Sequence, residues 1–171
     1  MELLVESREN TQKYACKIFL VPTFQDVFNF SLSDSVRSML GKRAHVLEQD
    51  VVSVETLQEQ VFCVQTSWVT DDETRDDLRK KVSKIFDSCA HDYTEIVVVN
   101  LQDSQEIAYA CVESLYLTSY IFTTYKSEKK QYSLTRIACV NVSKENLNNI
   151  QIISNAVFEA RNFINEPVIT L

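Results

Sequence analysis

A chain of 171 residues with one glycine, Gly41, has few places where its backbone can turn left-handed at no cost. Glycine also lets backbone N–H groups approach a phosphate closely, which is why phosphate-cradling loops are rich in it. No Walker loop, dinucleotide fingerprint or glycine-rich ADP-ribose loop can be written with one glycine. That excludes most nucleotide-binding classes and leaves a fold assembled from regular elements.

Those elements follow from hydrophobic periodicity. Lys13 to Val21 alternates Tyr14, Cys16, Ile18 and Leu20 against a second face, the pattern of a strand, and Pro22 closes it. Asp34 to Leu40 reads as a short helix with Val36, Met39 and Leu40 inward, stopped by Gly41. Ala44 to Val54 and Glu59 to Thr66 are β-rich. Thr70-Asp-Asp-Glu73 reads as a capping box opening a helix whose stripe is Leu78, Val82, Ile85, Phe86 and Cys89. Glu95 to Asn100 is a continuous apolar run, expected to be a strand buried on both faces. Ser104 to about Tyr125 has the wide apolar arc of a covered helix. Tyr132 to Val142 alternates again as a strand. Ser143 caps a last helix in which Leu147, Ile150, Ile153, Val157, Ala160 and Ile164 recur every three or four residues. At 1.5 Å per residue it should be roughly 30 Å long. Alternating strands and helices predict an α/β fold, a three-layer α/β/α sandwich on a mixed sheet.

Charge and cysteine usage narrow the function. With 24 acidic against 17 basic residues the net charge is −7, a poor footprint for nucleic acid or an anionic membrane. The one dense basic run, Arg79, Lys80, Lys81 and Lys84, is interleaved with Asp76, Asp77 and Asp87 and reads as a solvated helix face. No stretch approaches the roughly 18 apolar residues of a membrane span, and the N-terminus lacks a signal-peptide pattern, so a cytoplasmic location is expected. Five cysteines (16, 63, 89, 111 and 139) form no Cys-x-x-Cys pair and each lies in an apolar run, the usage of buried free thiols. His45 and His91 are isolated and read as loop or edge residues. Asn29-Phe-Ser and Asn141-Val-Ser fit the glycosylation pattern but mean nothing without a secretory route. Asp71, Asp72, Glu73, Asp76 and Asp77 open a helix, where carboxylates suit the dipole, and carry no metal reading.

Two stretches add a resemblance. Residues 110 to 127, Ala-Cys-Val-Glu-Ser-Leu-Tyr-Leu-Thr-Ser-Tyr-Ile-Phe-Thr-Thr-Tyr-Lys-Ser, precede a basic loop at Glu128-Lys-Lys130. Residues 156 to 167 read Ala-Val-Phe-Glu-Ala-Arg-Asn-Phe-Ile-Asn-Glu-Pro. Together they resemble the N-terminal domain of the leucyl (cytosol) aminopeptidases. There a helix ends before Lys-Ser or Lys-Thr, and a connecting helix ends Ala-Arg-x-Leu-x-Asn-x-Pro. Phe163 stands where leucine is usual, and Val168-Ile-Thr replaces the common continuation. The likeness covers residues 95 to 171; earlier, only the order of elements matches.

The resemblance implies a macro-domain-like N-terminal domain over 1–143, a connecting helix over 144–164, and the start of a missing catalytic domain at 165–171. It implies a parent that removes N-terminal residues from peptides with two divalent metal ions, Zn or Mn, held in that missing domain, and that assembles as a homo-hexamer. The family's Asn-Thr-Asp-Ala-Glu-Gly-Arg motif is absent here, since the only glycine lies in Met39-Leu-Gly-Lys42. No catalytic, cofactor-binding or metal-binding residue is therefore assigned, and this chain alone is expected to be inactive. Its expected partner is its own catalytic domain, and its expected role is assembly and support. The alternative is a free-standing macro-like module binding a nucleotide or nucleic acid. If the tail is cut, Phe158, Phe163, Ile164 and Val168-Ile169 should be partly exposed, frayed or buried against a neighbouring copy, with Arg161 and Asn165 facing solvent or that neighbour.

Overall fold

The computed structural model describes residues 1–30, 32–44, 50–122 and 131–166. Within these residues six strands form one mixed sheet: β1 (Glu2–Val5), β2 (Cys16–Val21), β3 (Val51–Glu55), β4 (Gln60–Gln65), β5 (Glu95–Asn100) and β6 (Arg136–Val140). Among the described residues four helices accompany them: α1 (Asp34–Ala44), α2 (Asp72–Cys89), α3 (Gln105–Thr118) and α4 (Lys144–Asn165). Two 3-10 turns, Arg8–Lys13 and Asp26–Asn29, flank β2. The strand order is β1-β6-β5-β2-β4-β3, with only β3 antiparallel to its neighbour. The result is the three-layer α/β/α sandwich with a C-terminal helix that the alternation predicted.

The handedness of crossovers accounts for the layering. After β2 the chain moves toward the β3 edge through α1, and from β4 it reverses, returning past β2 to β5 and β6. A right-handed crossover places its helix on opposite faces for opposite directions of travel. One face accordingly packs Val27, Phe30, Val36 and Leu40 over Phe19, Val21, Val97, Val99, Ala138 and Val140. The other packs Leu78, Val82 and Phe86 of α2, Cys111 and Leu115 of α3, and Leu147 and Ile150 of α4 over Ile18, Leu20, Ile96, Val98 and Ile137. β5 is buried on both faces, as its unbroken apolar run required.

Several boundaries differ from expectation. β1 carried no periodic signal in four residues; it is fixed by parallel pairing with β6, Leu3 opposite Ile137. The strand foreseen from Lys13 begins at Cys16, after the 3-10 turn. Gly41 does not stop α1, which runs on to Ala44, so the β-rich stretch foreseen from Ala44 starts instead at Val51. The left-handed turn among the described residues belongs to Asn141 (φ 58°), right after β6, an asparagine doing what glycine does elsewhere. The capping box at α2 is shifted by one: Asp71 accepts from the Thr74 N–H at 2.9 Å, and Thr74 Oγ1 accepts from the Asp71 N–H at 3.0 Å. Aspartate ranks above threonine as an N-cap, and Thr74 can close the box in place of Glu73. α3 ends at Thr118 rather than near Tyr125. His45, residues 123–130 with the basic loop, and Pro167 to Leu171 lie outside the described residues.

Candidate contact face on the C-terminal helix

α4 has two apolar stripes, and the structure decides which is inside. Leu147, Ile150 and Ser154 are buried, and Val157 and Phe158 continue that side half-buried. Phe158 is held by two tyrosines of the α3 region: parallel to Tyr116 at 5.8 Å between ring centres, and tilted against Tyr120 at 5.2 Å. Tyr116 Oη donates to the Met1 carbonyl at 3.1 Å, joining α3 to the start of β1. Tyr120 Oη donates to Asn162 Oδ1 at 2.8 Å, and Arg161 lies over the Tyr120 ring at 5.4 Å.

The second stripe faces outward. Ile152 is 69% exposed, Ile153 49%, Phe163 66% and Ile164 82%, with Ala156 and Ala160 exposed between them. Of the periodic series Leu147 to Ile164, Ile153, Ala160 and Ile164 turn outward, and Ser154 and Phe158 take the inner side. The exposure expected of the helix end does hold for Phe163 and Ile164, with Phe158 half-buried. Arg161 and Asn165 are exposed. Isolated surface isoleucines are ordinary, but a charge-free stripe over three turns has the character of a contact surface.

The place where an open α/β sheet usually binds ligands is built differently. That crevice lies beyond the carboxyl ends of the strands where the winding reverses, here at β2 and β5. The single Thr66 hydroxyl proton is shared between the Val21 carbonyl at 3.0 Å and Gln102 Oε1 at 2.8 Å. Asn100, fully buried, exchanges bonds with Asn141: Asn141 Nδ2 to the Asn100 carbonyl at 2.9 Å, and Asn100 Nδ2 back to the Asn141 carbonyl at 3.3 Å. Gln105 Nε2 reaches the same Asn141 carbonyl at 2.9 Å. The Thr66 hydroxyl and side-chain amides thus tie the ends of β2, β4, β5 and β6 together. Gln102 Nε2 is left buried without a partner.

The remaining titratable groups serve packing. Lys17 and Glu59 form a buried ion pair that Ser33 extends by donating to Glu59. Burial pushes the Glu59 carboxyl up, but the bonds from Lys17 and Ser33 outweigh it and hold it below its ordinary value. All five cysteines are free and buried. Burial pushes the thiols of Cys63 and Cys111 up to about 12, so neither is poised as a nucleophile. His91 packs against Tyr132, ring centres 5.0 Å apart. The basic run on α2 is threaded by ion pairs to acidic neighbours: Arg75–Asp72, Arg79–Asp76 and Lys80–Asp77, each at 2.8 Å. Among the described residues no three His, Cys, Asp or Glu side chains are grouped to hold a metal ion, so a two-metal centre does not fit them. No described helix is long and apolar enough to cross a membrane.

No family model and no curated protein sequence matches the chain. Solved structures do. A tomato leucine aminopeptidase variant superposes with a TM-score of 0.66 at 14% identity, over 100% of this chain and 39% of its own. The bottromycin maturation enzyme BotP in complex with Mn gives a TM-score of 0.61 at 15% identity, over 90% of this chain and 32% of its own. A second structure of BotP gives a TM-score of 0.60 at 14% identity, over 90% of this chain and 33% of its own. The chain therefore shares the fold of a region spanning about two fifths or less of those enzymes.

Proposed function

We propose that the chain is a non-catalytic domain of a leucyl-aminopeptidase-like protein, serving to assemble and support a catalytic domain joined through α4. The observation that carries this reading is the superposition on the tomato enzyme, which runs through the whole chain, α4 included. The parent would remove N-terminal residues from peptides, two divalent ions activating water in the catalytic domain. Assembly as a homo-hexamer and a cytoplasmic location belong to the same proposal, the latter supported by five free buried thiols.

The alternative is a free-standing macro-like binding module for a nucleotide or nucleic acid. The buried Gln102 Nε2, the half of that amide left without a partner, is the observation in its favour. Against it stand the amide network across the strand ends and the absence of a glycine-built phosphate loop.

The test has two arms. The purified chain, given Mn²⁺, Zn²⁺, Co²⁺ or Mg²⁺ in turn, is expected to leave a leucine anilide uncleaved, and calorimetry is expected to find no ADP-ribose binding. Metal-dependent turnover that copurifies with the chain would overturn the domain reading; micromolar ADP-ribose affinity would install the alternative.

A further inference from the structure

We propose that the outer edge of β3 takes up an extended acidic peptide segment of another protein as an added strand, its alternate side chains entering the cleft between β3 and α2. This goes beyond the assembly role proposed above and does not depend on it.

β3 lies at the edge of the sheet, and its register with β4 fixes which of its backbone groups are already bonded. The Gln65 N–H donates to the Asp50 carbonyl at 2.7 Å, and the Thr56 N–H donates to the Glu59 carbonyl at 2.9 Å. The even-numbered residues therefore exchange bonds with β4, and Val51, Ser53 and Glu55 turn their N–H and C=O groups outward. Among the described residues one bond reaches these groups, from the Arg43 guanidinium to the Ser53 carbonyl, and that oxygen keeps a second lone pair. An edge of this kind is a template for a further strand.

The same three residues carry their side chains on the α2 side. Val52 and Val54 belong to the core under α1, whereas Val51 packs with the α2 layer. α2 returns the chain from the end of β4 to the start of β5, so it runs alongside β3 in the same direction. Between the two lies an open cleft of about 420 Å³. Val51, Phe62 and Ile85 form its floor, and Lys81 and Lys84 stand along its helical wall. Lys81 is paired with Asp50 and lies over the Trp68 ring at 4.0 Å. Lys84 is exposed and has no charged partner among the described residues. On a chain of net charge −7, two lysines against one aspartate make this cleft a local exception.

A strand laid antiparallel on β3 places the side chains opposite Val51 and Ser53 in the cleft, within reach of the lysines. The side chain opposite Glu55 meets a carboxylate instead. A peptide reading basic-x-acidic-x-acidic matches all three positions. Main-chain bonds to the edge supply affinity, and the alternate side chains select the sequence. Five residues cover less than the about 800 Å² per partner of a stable complex, so Kd is expected on the order of 10–500 µM.

The blocked peptide acetyl-Lys-Val-Glu-Val-Glu-amide, titrated into the intact chain, is the test. Trp68 is the single tryptophan and carries Lys81 on its ring, so its emission should change saturably as the peptide draws Lys81 away, with the same Kd by calorimetry. Replacing both peptide glutamates by glutamine should weaken binding about tenfold, and Lys84→Met about two- to five-fold. Lys84 is exposed, so circular dichroism of that variant should report an unchanged fold. N-methylating both glutamates keeps the charge but removes two N–H donors to the edge, and should abolish binding. No saturation by about 2 mM peptide, or an unaltered Kd with the glutamine peptide or with Lys84→Met, overturns the proposal. Equal binding of the N-methylated peptide also overturns it, by showing a charged patch and no added strand. None of these results touches the inactivity test, so the two readings fail separately.

Discussion

Gly41→Ala should stabilise this protein. Gly41 lies inside α1, three residues before its end, and a methyl built on its Cα meets no atom within 4 Å. Its φ is not positive, so alanine adopts the same backbone without strain. Glycine within a helix costs roughly 0.5–1 kcal/mol relative to alanine, largely because the unfolded chain has more conformations to lose. Fraying near the helix end argues for the middle of that range, about 0.7 kcal/mol. For a domain of 150–250 residues, one kcal/mol moves Tm by about 2–4 °C, so a rise of about 1–3 °C is expected. With a urea m-value near 2 kcal/mol/M, the midpoint should rise by about 0.3 M at constant slope. Thermal melts followed by circular dichroism and urea titrations followed by Trp68 fluorescence measure both. An unchanged or lower stability would refute the argument, because it would mean that Gly41 is needed as a terminator and not merely tolerated in a helix.

Phe158→Ala should remove the ring wedged against Tyr116 and Tyr120; half the cost of a fully buried Phe, about 2 kcal/mol, is expected in urea unfolding, and a loss under about 0.5 kcal/mol would show α4 held elsewhere. Ser154 is fully buried and its hydroxyl has no partner, so Ser154→Ala should be neutral or gain up to about 1 kcal/mol, whereas a clear loss would reveal a bonded hydroxyl. Lys13, followed by Asn10 and the Ser7 N–H, holds the Glu6 carboxyl down to about 2. A depressed folded pKa gives stability that is present above the ordinary carboxylate range and fades as pH falls toward 2. Glu6→Gln should therefore flatten the acid limb of the stability curve between about pH 4.5 and 2, and an unaltered limb would count against the contact.

Some of this was settled by the chain alone. Local patterns suffice where one signal dominates: the apolar run at Glu95–Asn100, the single stripe of α2, and the Ser143 cap with its long periodic helix each set an element with little outside help. A lone glycine likewise excludes the glycine-rich phosphate loops, because the constraint is on backbone dihedrals. Tertiary structure decided the rest, wherever local signals were absent or tied. Four residues at Glu2–Val5 have no detectable period, and their partner in β6 lies more than 130 residues away. Thr70 and Asp71 can both cap a helix, so the box could close at either. α4 is apolar on two sides, and periodicity says only that stripes exist. It was Tyr116 and Tyr120, projecting from the α3 region, that drew Phe158 inward and left Ile153, Phe163 and Ile164 to the solvent.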